Sequence, residues 1–181
     1  MPIGCCSLVP TIATHFALFQ PRSVLDLGIG MGFYGAAARQ WLDGGAQPWR
    51  TRLVGVEGFA AYRSPCWDLY DEVFVSSIER FLETNADLWD AILLLDVLEH
   101  FEHAQGEAIL RELRRRLSSR GRLFVGTPAV WMEQDAANGN ELERHRSLWT
   151  ADELRALGFE LLDDGTIDRF GNQMLLGMAM N

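Results

Sequence analysis

The run Val24-Leu25-Asp26-Leu27-Gly28-Ile29-Gly30-Met31-Gly32-Phe33-Tyr34-Gly35 holds the residues whose spacing speaks most directly of chemistry. An apolar stretch ends in an acidic residue, and a glycine-rich turn then opens a helix at about Phe33. Glycine lets backbone pass close to a ligand or take positive φ, and the helix start beyond it offers free N–H groups and a positive dipole end. At the carboxyl end of the first strand of an α/β sheet, such a turn is a nucleotide-type cradle. Two ligands fit. Gly30-x-Gly32-x-x-Gly35 meets the dinucleotide pattern of nicotinamide and flavin enzymes. Gly28-x-Gly30-x-Gly32 behind Asp26 meets another, because a carboxylate there repels a pyrophosphate and attracts a ligand bearing an ammonium and a sulfonium.

Further groups follow at the ends of the later apolar runs. Glu57, in Val54-Gly55-Val56-Glu57-Gly58-Phe59, is placed to accept both hydroxyls of a ribose. Ser76, Ser77 and Ile78 are candidates for an adenine edge, with Glu79 as a further polar group. Asp96, Glu99, His100, His103 and His145 are the titratable candidates for proton removal from an acceptor. His100 lies just past the fourth apolar run, where it can equally cap a helix or pair with Glu99 or Glu102. His145 sits in a long loop among Glu141, Glu143, Arg144 and Arg146, on the side where an acceptor must enter. Trp131 and Trp149 either stack on an acceptor or pack the loop onto the sheet. Glu99 and His100 have no second histidine at metal-ligand spacing, so no metal is expected.

The elements that must position these groups alternate as βα repeats. Strands are expected at Ser23–Leu27, Leu53–Val56, Glu72–Val75, Ala91–Leu95, Arg122–Gly126, Phe159–Leu162 and Met174–Met180. Helices are expected at about Phe33–Leu42, Ala60–Tyr70 (with Pro65 marking a break), Ile78–Thr84, Glu102–Leu117 and Ala151–Leu157. Thr150 and Glu153 form a capping box for the last of these, and Gly158 ends it. The final two strands close as a hairpin around Asp163–Gly165 and a loop at Gly171-Asn172.

Several motifs carry a family resemblance. Asp26–Gly32 resembles the first motif of the class I methyltransferases that use S-adenosylmethionine. Asp90-Ala91-Ile92-Leu93-Leu94-Leu95-Asp96-Val97-Leu98-Glu99-His100-Phe101 resembles the fourth-strand motif of their small-molecule type. Ser119-Arg120-Gly121, Gly126-Thr127-Pro128, His145-Arg146-Ser147-x-Trp149-Thr150, Asp152-x-Leu154 and Leu157-Gly158-Phe159 follow in the family's order. The chain is most similar to small bacterial methyltransferases that accompany glycan-building enzymes. The resemblance implies a doubly wound, seven-stranded, mostly parallel sheet with helices on both faces and an antiparallel last strand. It implies S-adenosylmethionine as cofactor, S-adenosylhomocysteine as product, and a small-molecule or saccharide acceptor methylated at oxygen. Asp26, Gly28, Gly30, Gly32, Glu57, Gly58, Ser77, Ile78, Asp96 and Val97 become the cofactor-binding residues, Asp96 and Val97 toward the methionine portion. Ser76-Ser77 departs from a Gly-Asp common in the family. Two other readings stand beside this one. A nicotinamide-dependent oxidoreductase would lack its usual Tyr-x-x-x-Lys pair here, and a non-catalytic S-adenosylmethionine-binding protein would keep the fold without the chemistry.

Bulk properties fit a single domain over residues 1–181, with an N-terminal helical cap (1–22) and a lid-like loop (127–149). A net charge of −9 excludes a general nucleic-acid binder. All basic residues are arginine, which removes Schiff-base and P-loop lysine chemistry. The cluster Arg111, Arg114, Arg115, Arg116, Arg120 and Arg122 reads as the solvated face of a helix and its end. No apolar run reaches the twenty or so residues of a membrane span. The apolar stretch from Ile3 to Phe19 reads as a packed helix and not a signal peptide. Cys5, Cys6 and Cys66 have neither pairing nor ligand spacing, which suits reduced thiols in the cytoplasm. Leu8, Ile12, Phe16 and Phe19 line one side of the N-terminal helix, either as a cover for the cofactor or as a homodimer surface.

Overall fold

The structure is a computed structural model and describes residues 4–136, 139–167, 171 and 173–181. In chain order it comprises α1 (Val9–Phe19), β1 (Ser23–Leu27), α2 (Phe33–Asp43), β2 (Arg52–Glu57), β3 (Glu72–Val75), α3 (Ile78–Thr84), β4 (Trp89–Leu95), α4 (His103–Arg115), β5 (Leu117–Pro128), α5 (Ala151–Ala156), β6 (Glu160–Asp164) and β7 (Met174–Met180). The strands form one sheet in the order β3-β2-β1-β4-β5-β7-β6. β1 to β5 pair in parallel, and β7 runs antiparallel to both of its neighbours. The fold class is the expected one. Strand order reverses between β1 and β4, so their carboxyl ends open a crevice side by side.

Side-chain alternation along the strands feeds two cores. Ile92 and Leu94 of β4 face a cluster with α3, α4 and Trp149, whereas Ala91, Leu93 and Leu95 face one with α1 and α2. Leu8, Ile12 and Phe16 are all buried against this second face. Phe16 meets Phe124 of β5 edge-on at 6.0 Å, and Leu8 fills the space above Gly126. The stripe suggested as a homodimer surface is thus occupied by the chain's own sheet. Gly4 and Cys5, just before it, reach the crevice.

Three local expectations are corrected. The stretch from Ala60 to Tyr70 is not one helix but two 3-10 turns, Ala60–Tyr62 and Pro65–Leu69. Pro65 forces Ser64 into extended geometry, and the Ser64 hydroxyl then accepts the Cys66 N–H at 3.1 Å. β5 begins at Leu117 and not Arg122, with an irregular register opposite Trp89 and Ala91 absorbing Ser118–Gly121. The arginine cluster is only partly a solvated face. Arg114 donates to the carbonyls of Leu157 and Gly158, and Arg116 to those of Leu82 and Asn85. Both are clamps on the ends of neighbouring elements. Asn172 of the expected hairpin loop and Ile3 lie outside the described residues. Among those described, no helix is long and apolar enough to cross a membrane.

Candidate active site

A cavity of about 760 Å³ opens at the carboxyl ends of β1, β2 and β4. Its first wall is the glycine turn. Gly28 has φ 71°, and a Cβ there would stand 2.4 Å from Val97 Cγ2, so no other residue fits. Glu57 closes this end. Its Oε2 accepts the Gly30 N–H and its Oε1 accepts the Phe59 N–H, each at 2.8 Å. Burial raises the Glu57 carboxyl above its ordinary range, and the two N–H groups oppose that rise. Each oxygen keeps a further lone pair for a ligand.

Asp26 is absent from this wall. It is fully buried behind the turn and accepts the Tyr70 hydroxyl at 2.7 Å. Burial lifts its carboxyl to about 7, against the pull of that hydrogen bond. The Tyr70 ring in turn occupies the space a Cβ on Gly35 would need, 2.0 Å away. Trp67 donates to the Gly30 carbonyl at 2.8 Å. Gly32, the N-cap of α2 with φ 85°, packs on Cys66 and Trp67 and also stands outside the cavity. Asp26 and Gly32 therefore shape the turn from behind, and the expectation that the Asp26 carboxylate meets a cationic ligand is not met.

A different acid faces the cavity. Asp96, at φ 55° just past β4, accepts the Cys5 N–H and the Tyr34 hydroxyl on Oδ2, both at 2.8 Å. Burial raises its carboxyl as well.

The far end is built from two segments distant in sequence. Glu99 is buried in the 3-10 turn Leu98–His100 after β4 and accepts the Thr127 hydroxyl at 2.9 Å. Its carboxyl is lifted to about 8 by burial. The Glu99 carbonyl takes the N–H groups of Arg146 and Ser147 at 2.8 and 3.1 Å, and the Arg146 guanidinium donates to the His100 carbonyl at 2.8 Å. Trp149 anchors the same segment. It is buried beside Gly106, stacks on His103 at 4.0 Å and donates to the Ser147 hydroxyl at 2.9 Å. These bonds carry His145 to His100, with ring centroids 5.0 Å apart. Burial lowers the pKa of His100.

Residues 4–161 match a family model described as a methyltransferase domain. The chain belongs to that family. No curated protein matches it in sequence. Solved structures share the fold. A 1,6-didemethyltoxoflavin-N1-methyltransferase from Burkholderia thailandensis, with 1,6-didemethyltoxoflavin and S-adenosylhomocysteine bound, superposes with a TM-score of 0.65 at 19% identity, over 97% of this chain and 78% of that one. A protein from Nostoc punctiforme named as a candidate O-methyltransferase gives 0.65 at 18% identity, over 97% of this chain. An O-methyltransferase family protein from B. thailandensis gives 0.62 at 14%, over 94%. The present chain spans only 56% and 55% of the length of the latter two.

The fold brings Gly28, Gly30, Glu57, Gly58, Ser77, Ile78, Asp96, Val97, His100 and His145 around one cavity. Ser77 also accepts the Arg80 N–H as N-cap of α3. Trp149 and His103 are structural, since they stack on each other beneath the loop, whereas Trp131 is exposed and 6.3 Å from His145. Sequence reasoning missed Cys5, Tyr34, Met132 and Leu142, which line the cavity because of where distant segments return. It also judged a metal by spacing along the chain. The fold assembles Glu99, His100 and His145 with their ligand atoms within 4.8 Å of one another.

Proposed function

We propose that this methyltransferase transfers a methyl group from S-adenosylmethionine to an oxygen of a small-molecule or saccharide acceptor. One observation carries the reading: a single cavity has a backbone-held carboxylate at one end and two imidazoles at the other. Glu57 would take the ribose hydroxyls, the glycine turn with Asp96 and Val97 the amino-acid portion, and Ser77 with Ile78 the adenine edge. The residues fit that group, since glycine keeps the cradle open and Glu57 retains free lone pairs. The cofactor supplies a methyl already activated on a sulfonium.

The chain's own residues do the rest. Phe33, Phe101, Met132 and Leu142 give the cavity apolar walls that exclude water and align the acceptor for in-line attack. Each imidazole directs Nδ1 at a backbone carbonyl, His145 to Met132 at 2.8 Å and His100 to Arg144 at 3.3 Å. A carbonyl can only accept, so Nδ1 bears the proton and Nε2 is left basic, ready to receive an acceptor's proton. Trp131 offers an exposed face for a sugar or aromatic ring. Free thiols at Cys5, Cys6 and Cys66 suit a reducing compartment, and we assign the protein to the cytoplasm.

Calorimetric titration with S-adenosylhomocysteine, with NADH in parallel, tests the reading. Micromolar binding of the first and none of the second is the expected result. Binding of NADH alone, or of neither, overturns it.

A further inference from the structure

The acceptor end contains more than a base. His145 gives its Nδ1–H to the Met132 carbonyl and His100 gives its own to the Arg144 carbonyl, which leaves both Nε2 lone pairs directed elsewhere. The ligand atoms of these two rings and of the Glu99 carboxylate lie within 4.8 Å of one another. All three residues line the cavity, so an ion has a path to them. A histidine whose other nitrogen donates to a carbonyl is fixed in tautomer and ring orientation, which is how metal-binding imidazoles are held.

We propose that Glu99, His100 and His145 bind a divalent first-row transition ion. Two imidazole nitrogens and one carboxylate oxygen favour ions of the manganese-to-zinc series over magnesium or calcium, which take oxygen ligands. Bonds of about 2.0–2.2 Å place tetrahedral ligand atoms roughly 3.3 Å apart, so a closure of at most about 1.5 Å from the 4.8 Å limit completes the site. Side chains can supply it: His145 stands on a loop, while Glu99 and His100 sit on a turn pinned by Arg146 and Ser147. Three protein ligands leave coordination positions open toward the cavity, as in catalytic rather than structural sites. Those positions suit an oxygen of the acceptor. With both Nε2 atoms on the ion, activation of the hydroxyl passes from the imidazoles to the ion, which fixes the oxygen and lowers its pKa. This use of the ion rests on the methyl-transfer reading; the binding of the ion does not.

The test is titration of chelator-treated protein with cobalt(II) alone, followed by its visible absorption, and with zinc to displace it. The expected result is one ion per chain, displaced by zinc, with affinity falling by about 100-fold or more in His145→Ala and in Glu99→Gln. S-adenosylhomocysteine titrations of the same samples report whether the cofactor end is intact. Cobalt uptake that is absent, or that persists unchanged in both variants, overturns the proposal. Cofactor binding without cobalt binding removes the metal site and leaves the methyl-transfer reading; cobalt binding without cofactor binding does the reverse.

Discussion

The two ends of the cavity are built in different ways. At the end proposed for the cofactor, the glycine turn and Glu57 come from β1 and β2, which pair directly, and Glu57 is tied to that turn by backbone N–H groups. Tyr70 and Trp67 buttress it from behind. At the end proposed for the acceptor, Glu99 and His100 come from the turn after β4, and His145 arrives along a loop from beyond β5. Two backbone bonds to one carbonyl, one guanidinium and one buried indole hold that loop in place. The contrast separates a rigid site made by neighbouring strands from one whose geometry depends on a remote anchor. An enzyme that keeps one cofactor and changes acceptors benefits from placing variation at the second kind of site.

Breaking the anchor should have the largest effect. Trp149→Ala is expected to cost about 4 kcal/mol of stability, as loss of a buried aromatic does, and denaturant melts would measure it. If the indole is the anchor, the folded fraction should still bind S-adenosylhomocysteine while turnover collapses. His145→Ala touches only the acceptor end. Turnover should fall by about 100-fold or more with cofactor affinity unchanged, and full activity in steady-state assays would make His145 a structural residue. Glu57→Ala tests the opposite end. It should weaken S-adenosylhomocysteine by about 2 kcal/mol, roughly 30-fold by calorimetry, without unfolding the chain.

The smallest effect sharpens the comparison at the base of the loop. Thr150→Ala removes the capping hydroxyl that accepts the Glu153 N–H and binds the Glu153 carboxylate, at about 1 kcal/mol. Those bonds hold the Glu153 carboxyl below its usual range. Their contribution is therefore present above the ordinary carboxylate range and lost as pH falls through the lowered value. The difference in melting temperature between the two proteins should narrow in acid.

The same contrast explains what the sequence revealed. Strands β1 and β3, helix α3 and the capping box were legible residue by residue, because apolar runs, turn glycines and caps are local. The place of Glu57 on the cavity wall was legible because it stands at the carboxyl end of a strand beside the glycine turn. Asp26 misled. Its position two residues before Gly28 reads as a ligand contact, yet only packing reveals that Tyr70, forty-four residues on, claims its carboxylate. Trp149 was ambiguous for a similar reason: a ring that stacks on His103 inside the fold looks, in sequence, like one that stacks on an acceptor. The meeting of His145 with Glu99 and His100 had no local signal, since spacing along the chain says nothing about where a loop returns.

Leu142 belongs to the loop of the acceptor end, yet its Cδ1 lies only 2.4 Å from where a Cβ on Gly58 would be, beside Glu57. The loop that delivers His145 thus rests on the residue next to Glu57. One side chain of the loop therefore packs against both halves of the cavity, so a change in the loop's path is felt at Glu57 as well as at His145.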